Sequence, residues 1–246
     1  RFPDLPVVDG VTFATIAAGV RYAGRTDVML AKLVPGTAIA GVFTRSSTRA
    51  APVLDCQAKL GGDQAGGAAF LVNSGNANAF TGKKGAESVH EIVEAVSINC
   101  GVPSARVFTS STGVIGEPLP HDRVVAKMPD LNDALRDDGI ADAARAIMTT
   151  DTYPKGAVET VEVNGKTITI AGIAKGSGMI APDMATMLVY IFTDARIAQD
   201  NLQAIVSTAA DLTFNCITVD SDTSTSDSVL MAATGASDVD VTGDAT

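Results

Sequence analysis

VETVEVNGKTITIAGIAKGSGMIAPDMATMLVYIFT, residues 158–193, is the stretch on which the reading of the fold turns. Asn164-Gly165 lies between two β-like runs, and Asn-Gly favours the positive φ angles of a type I′ hairpin turn. With that turn Val161 faces Ile168, and the pair is expected on one apolar face. The second strand leads into KGSGMIAPDMATML, residues 175–188. Gly176, Gly178 and Pro182 predict a mobile loop, and the apolar run MLVYIF that follows predicts a buried strand. Thr186 is therefore expected at the mouth of that strand.

Outward from this segment, short β-branched or aromatic runs bounded by Gly, Pro or Ser predict strands at 27–34, 38–43, 68–73 and 105–110. Residues 84–100 predict a helix with Ala86, Val89, Val93, Val96 and Cys100 on one stripe, stopped by Gly101 and Pro103. Helices are also expected at 139–149 and 198–214, the latter with Leu202, Ile205, Val206 and Ala209 inward. Strands alternating with helices, plus an antiparallel hairpin, predict a layered mixed α/β architecture. The pattern does not give the topology.

Composition narrows the function classes. The 246 residues are 46% hydrophobic and 19% charged, a globular balance. There is no Trp and only 4% aromatic residue, so the core must be built mainly from aliphatic side chains. The net charge of −10 comes without any dense Lys/Arg run, which argues against nucleic acid as a partner. No apolar run approaches the roughly 20 residues of a membrane span, and the opening residues lack a charged-then-apolar signal segment. Cys56, Cys100 and Cys216 show neither metal nor disulfide spacing and are expected as buried free thiols in a reducing compartment.

Residues 175–188 admit two chemical readings. Gly176-x-Gly178-x-x-Ala181 has the spacing of a dinucleotide fingerprint, but that motif needs a helix to open at once, and here Pro182 and a β-rich run follow. The other reading is an activated threonine. A Thr hydroxyl becomes a useful nucleophile when a base takes its proton, and the residue's own amino group can be that base once the preceding bond is cut. The amine's ordinary pKa of about 7.7–8.0 suits the task. Small Ala185 leaves the preceding carbonyl open to attack. On pattern alone, a threonine before a strand is an ordinary structural residue.

KGSGMIAPDMATML resembles the processing segment of the ornithine acetyltransferase family, also called glutamate N-acetyltransferase. NSGNANAFTG (73–82), TSSTGVIG (109–116), IMTTDTYPK (147–155) and FNCITVDSDTSTSD (214–227) resemble further family blocks in the same order. The resemblance implies a layered α/β sandwich similar to N-terminal-nucleophile hydrolases, over one catalytic domain 1–246 shortened at its C-terminus. It implies self-cleavage between Ala185 and Thr186, giving an α chain 1–185 and the start of a β chain at 186–246. Thr186 would be the nucleophile that carries acetyl from N-acetylornithine to glutamate. Acetyl-CoA is an implied co-substrate with no cofactor held permanently, and the expected setting is a cytoplasmic heterotetramer of two α and two β chains.

By the same resemblance Thr112 and Gly113 form an oxyanion hole, and Thr152, Lys175 and Thr186 contact substrate. The register within Thr149–Thr152 is open by a few positions. Each has a plain structural counterpart: a strand-end turn for Thr112-Gly113, a solvated hairpin-end lysine for Lys175, a structural turn for Asn73, Asn76 and Asn78. An N-terminal-threonine amidase or peptidase and a non-catalytic binding fragment remain alternatives. Asp220, Asp222 and Asp227 fail as an EF-hand, because Thr225 stands where Gly is needed and Met231 where Glu is needed. Gly82-Lys83-Lys84 fails as a P-loop. With only His90 and His121 and no partner spacing, neither a metal site nor a Ser-His-Asp triad is expected.

Overall fold

The structure, a computed structural model, describes residues 2–179, 187–220 and 222–241. In chain order the strands are β1 (Val11–Ile16), β2 (Val28–Leu33), β3 (Ala38–Phe43), β4 (Ala68–Asn76), β5 (Val107–Val114), β6 (Lys155–Val163), β7 (Lys166–Lys175), β8 (Leu188–Thr193) and β9 (Ser228–Ala233). The helices are α1 (Ala51–Lys59), α2 (Gly82–Cys100), α3 (His121–Val125), α4 (Met128–Asp133), α5 (Ile140–Ala146) and α6 (Gln199–Leu212).

The strands form two sheets, ordered β1-β2-β4-β5 and β3-β9-β8-β7-β6. Most pairs are antiparallel; β4 with β5 and β8 with β9 are parallel. Alternate residues of each central strand go to opposite faces. Met29, Phe70 and Val72 from the first sheet meet Leu188, Tyr190, Phe192 and Leu230 from the second. The odd-numbered neighbours of those β4 residues, Ala69 and Leu71, pack instead beneath α2, α3 and α4. Val189, Val229 and Met231 pack beneath Leu202 and Val206 of α6. The result is helix, sheet, sheet, helix. Burial on both faces explains why the central strands read as continuous apolar runs with no polar alternation. The few aromatics concentrate between the sheets: the Phe70 ring lies 6.0 Å from Phe108, 6.1 Å from Tyr190 and 5.9 Å from Phe192.

The Asn164-Gly165 hairpin forms with φ of 53° and 76°, and Val161 lies opposite Ile168. Their shared apolar face does not form. Ile168 is 4% exposed, packed with Ala195 and Val239, whereas Val161 is 47% exposed. β6 is the outermost strand, and that cover reaches Val163 at its end but not Val161. On α6 the inward stripe is Leu202, Val206 and Ala210; Ile205 and Ala209, expected inward, face outward. On α2, Ala86 is exposed and Ile92 joins Val89, Val93, Val96 and Cys100 inside. Gly101 ends α2 in the left-handed region, φ 66°. Cys56 and Cys100 are buried thiols, but Cys216 is exposed, in a short 3-10 turn beyond α6. The strand expected at 105–110 begins at Val107 after a 3-10 turn, and the helix expected at 139–149 is confined to α5.

Phe70 joins both sheets, so Phe70→Ala removes contacts from each at once. The expected cost is about 3–5 kcal/mol, readable as a lower urea midpoint with little change in slope.

Candidate active site

β4 and β5 run parallel, and their C-terminal ends meet where Gly75 pairs with Gly113 and the register shifts at Asn76. Gly113 has φ +135°, and a Cβ built there would lie 2.3 Å from the Gly75 carbonyl carbon and 2.6 Å from Asn76 N. Backbone fills the space a side chain would need, so only glycine fits. Thr112, one residue earlier, is 2% exposed.

β7 in the other sheet ends at Lys175, also 2% exposed. Its Nζ donates to Thr112 Oγ1 at 3.1 Å. This bond crosses between the sheets. A hydroxyl that accepts from an ammonium keeps its own proton free to donate elsewhere. Among the described residues Lys175 has no carboxylate within ion-pair distance, though the Asp151 and Asp227 charges act on it from further away. Burial pulls its pKa below the ordinary lysine value, with Asp151 opposing and Lys155 and Arg25 adding to the fall. The burial rules out the solvated hairpin-end lysine.

Asp151 organises the rim beside it. Its carboxylate accepts from Lys155 Nζ at 2.6 Å, Gly176 N at 2.8 Å and Thr149 N at 3.2 Å. Burial alone would raise its pKa, but these donors outweigh that and hold the carboxyl below its ordinary value. Thr112, Gly113, Lys175, Thr149 and Thr150 line one cavity of about 520 Å³, within the range of small-molecule sites. Thr152 does not line it. Two residues past Thr150 the chain has turned outward and Thr152 is exposed, whereas Thr149 and Thr150 reach the cavity.

Ala185 and Thr186 lie outside the described residues. The nearest described residue is Met187, whose backbone N–H donates to Asp227 Oδ1 at 2.9 Å. Asp227 is fully buried, and among the described residues its Oδ2 has no hydrogen-bond partner. Burial pushes this carboxyl up to about 8, against the Met187 bond and the Lys175 charge. The sequence offered Asp227 only as a failed calcium ligand, and Asp151 only as one residue of the block 147–155. An isolated acid among Ser and Thr was the available signal for both. The asparagine block is structural: Asn73 Nδ2 donates to Asn76 O, Asn76 Nδ2 to Glu117 O, and Asn78 Nδ2 to Gly85 O. Gly75 is the residue of that block that reaches the cavity. β7 and β8 pair antiparallel, which is incompatible with the parallel β-α-β unit of a dinucleotide site.

Two sheets face to face between helical layers, with the cavity at the strand ends, define a four-layered class of α/β sandwich. A structure from Ochrobactrum anthropi, an L-aminopeptidase D-Ala-esterase/amidase reported as a variant of the Ntn hydrolase fold, shares this architecture with TM-score 0.53 over 95% of this chain and 77% of its own, at 13% identity. Within that class the chain belongs to the ArgJ family, which matches residues 12–245. It is 70% identical over 244 residues to the arginine biosynthesis bifunctional protein ArgJ of Ruegeria pomeroyi, covering 99% of this chain and 60% of that protein. The chain thus spans about 60% of that relative's length. The ornithine acetyltransferase of Mycobacterium tuberculosis, solved with ornithine, is 34% identical with TM-score 0.62 over 74% of this chain and 94% of that one.

Gly113→Ala is expected to cost on the order of 1–3 kcal/mol through strain and contact with β4, seen as a lowered Tm. For Asp227 the raised folded-state pKa means the folded protein holds a proton that the unfolded chain has released. Its contribution to stability is complete below about pH 4 and is lost as pH rises through about 8. Asp227→Asn should flatten the fall in Tm between those limits, and an unchanged slope would show that the carboxyl is not the titrating group.

Proposed function

We propose that this chain carries out acetyl transfer from N2-acetyl-L-ornithine to L-glutamate, after severing its own backbone between Ala185 and Thr186. One observation carries the reading: Thr112 and Gly113 from one sheet and a buried Lys175 from the other, with no carboxylate at ion-pair distance among the described residues, line the same cavity. A buried ammonium without a carboxylate is costly. A substrate carboxylate relieves that cost while placing the acyl group beside the Thr112 hydroxyl and the Gly113 N–H.

In the cut, Thr186 Oγ attacks the Ala185 carbonyl, the C–N bond breaks to free the Thr186 amine and leave an ester, and water hydrolyses that ester to the Ala185 carboxylate and the Thr186 hydroxyl. In the donor half-reaction Thr186 Oγ attacks the acetyl carbon and its proton passes to that amine. Thr112 and Gly113 stabilise the oxyanion, a task in which one donor is typically worth about 10²–10³ in rate. The C–N bond then breaks, the amine's proton goes to the leaving ornithine nitrogen, and an acetyl-threonine ester remains. Glutamate's amine takes the acetyl group by the reverse route, so the kinetics are ping-pong. Thr149 or Thr150 takes the substrate-contacting role first expected of Thr152.

Processing at this point has support in the match to the Mycobacterium tuberculosis chain, which is covered to 94% by only 74% of this one. Residues 1–185 make up three quarters of the 246. In the full assembly the α and β chains stay together, and the two-α, two-β heterotetramer is the proposed state. Acetyl-CoA is the proposed second donor, in keeping with the word bifunctional in the name of the Ruegeria pomeroyi protein.

Intact-mass measurement tests the nucleophile. The wild-type protein should split at Ala185–Thr186 and gain one acetyl group on the fragment beginning Thr-Met-Leu when given N-acetylornithine. Thr186→Ala should remain one chain without acetyl uptake. Transfer that survives this substitution refutes the assignment, and acetate release without glutamate acetylation points to an amidase.

A further inference from the structure

The cavity also holds charges that the transfer chemistry leaves unused. Arg21, Arg25, Asp220 and Asp222 line it together with Lys175. Two of these are committed elsewhere. Arg21 Nη1 pairs with Glu117 Oε2 at 2.7 Å and its guanidinium lies over the Tyr22 ring. Asp220 Oδ2 accepts from Met179 N at 2.6 Å. Arg25 differs. It is half-buried, and its hydrogen bonds run from Nη2 to two backbone carbonyls, Met148 O and, at 3.4 Å, Thr149 O. Among the described residues no carboxylate pairs with it. Its charge is the smallest of those that act on the Lys175 amine, and both side chains line the same cavity.

Resting on the proposed transfer, the two substrates make opposite demands on this cavity. Both carry an α-carboxylate, which Lys175 can hold. Their distal ends differ: the departing ornithine ends in an ammonium, the incoming glutamate in a second carboxylate. A site built for the donor alone would need no second cation. We propose that Arg25 receives the γ-carboxylate of the acceptor and so selects glutamate over uncharged amino acids of the same length. A guanidinium presents five N–H groups in a fixed fork, and among the described residues only Nη2 is engaged by protein, leaving N–H groups able to meet a carboxylate side-on. The Nη2 bonds to the 148–149 carbonyls fix the group in place and join it to the segment that brings Thr149 and Thr150 to the cavity.

The test compares glutamate with glutamine as acetyl acceptors, using purified full-length enzyme and N-acetylornithine as donor. Glutamine matches glutamate in length and lacks only the distal charge. In the wild type kcat/KM should favour glutamate; in Arg25→Gln that preference should shrink roughly 10- to 100-fold, the range set by losing one charged hydrogen-bonded pair. Arg25→Lys, which keeps the charge without the fork, should keep part of the preference. A structural role at the 148–150 turn would lower both acceptors together and leave the ratio unchanged, which overturns the assignment. Wild-type enzyme that acetylates neither acceptor overturns the transfer reading and this assignment with it.

Discussion

Two apolar sheet faces closing on each other fix everything else in this molecule. Neither the β4–β5 end nor the β7 end is a site alone. Packed through Phe70, Tyr190 and Phe192, the sheets bring Thr112 and Lys175 within one hydrogen bond. That bond can form because the registers of the strands behind it are fixed by burial on both faces. A one-residue slip in β5 would turn Thr112 to the other face and leave the lysine with no neutral partner. The close approach of Gly75 and Gly113 guards that register, since no other residue at 113 fits against the β4 backbone.

The cavity rim is held by backbone hydrogen bonds to a few charged side chains. Asp27 accepts from Ala18 N and Val20 N, and so pins the loop between β1 and β2 that bears Arg21 and Arg25. Arg25 in turn donates to carbonyls of the 148–149 segment, and Asp151 gathers Thr149 N, Gly176 N and Lys155. Three separate loops are thereby tied to one another at the strand ends. Polar side chains positioned by such fixed partners need little reorganisation when substrate arrives.

The sequence disclosed local features well and long-range ones poorly. The Asn164-Gly165 turn, the Gly101 stop and the β3 run were legible because each depends on a few adjacent residues and a known φ preference. Which face of α6 is buried was misread by one residue, because Ile205 and Ala209 are apolar yet outside the stripe that Leu202, Val206 and Ala210 present to the sheet. Val161 was misread because edge position is a property of sheet order, which periodicity does not carry. At the site, Lys175 and Thr112-Gly113 came from a family likeness, and their juxtaposition from 63 residues apart lay beyond any local pattern. Thr152 was chosen among neighbours of the same kind; the outward turn after Thr150 distinguishes them and leaves no mark in composition. Asp151, Asp227 and Arg25 escaped because a lone charge acquires meaning only from what it is packed against.

The overall charge of the protein and the charge of its cavity have opposite signs. A chain of net charge −10 repels small anions on average, yet a buried Lys175 and a half-buried Arg25 line the same cavity. Burial makes the lysine reluctant to hold its proton, and an arriving carboxylate reverses that reluctance. Binding of an anionic amino acid and full protonation of Lys175 are therefore coupled: each favours the other. On the proposed reading, an acceptor with two carboxylates would meet both cations, whereas an uncharged amino acid of equal size would meet only Lys175, so selectivity would come from charge more than from the shape of the cavity.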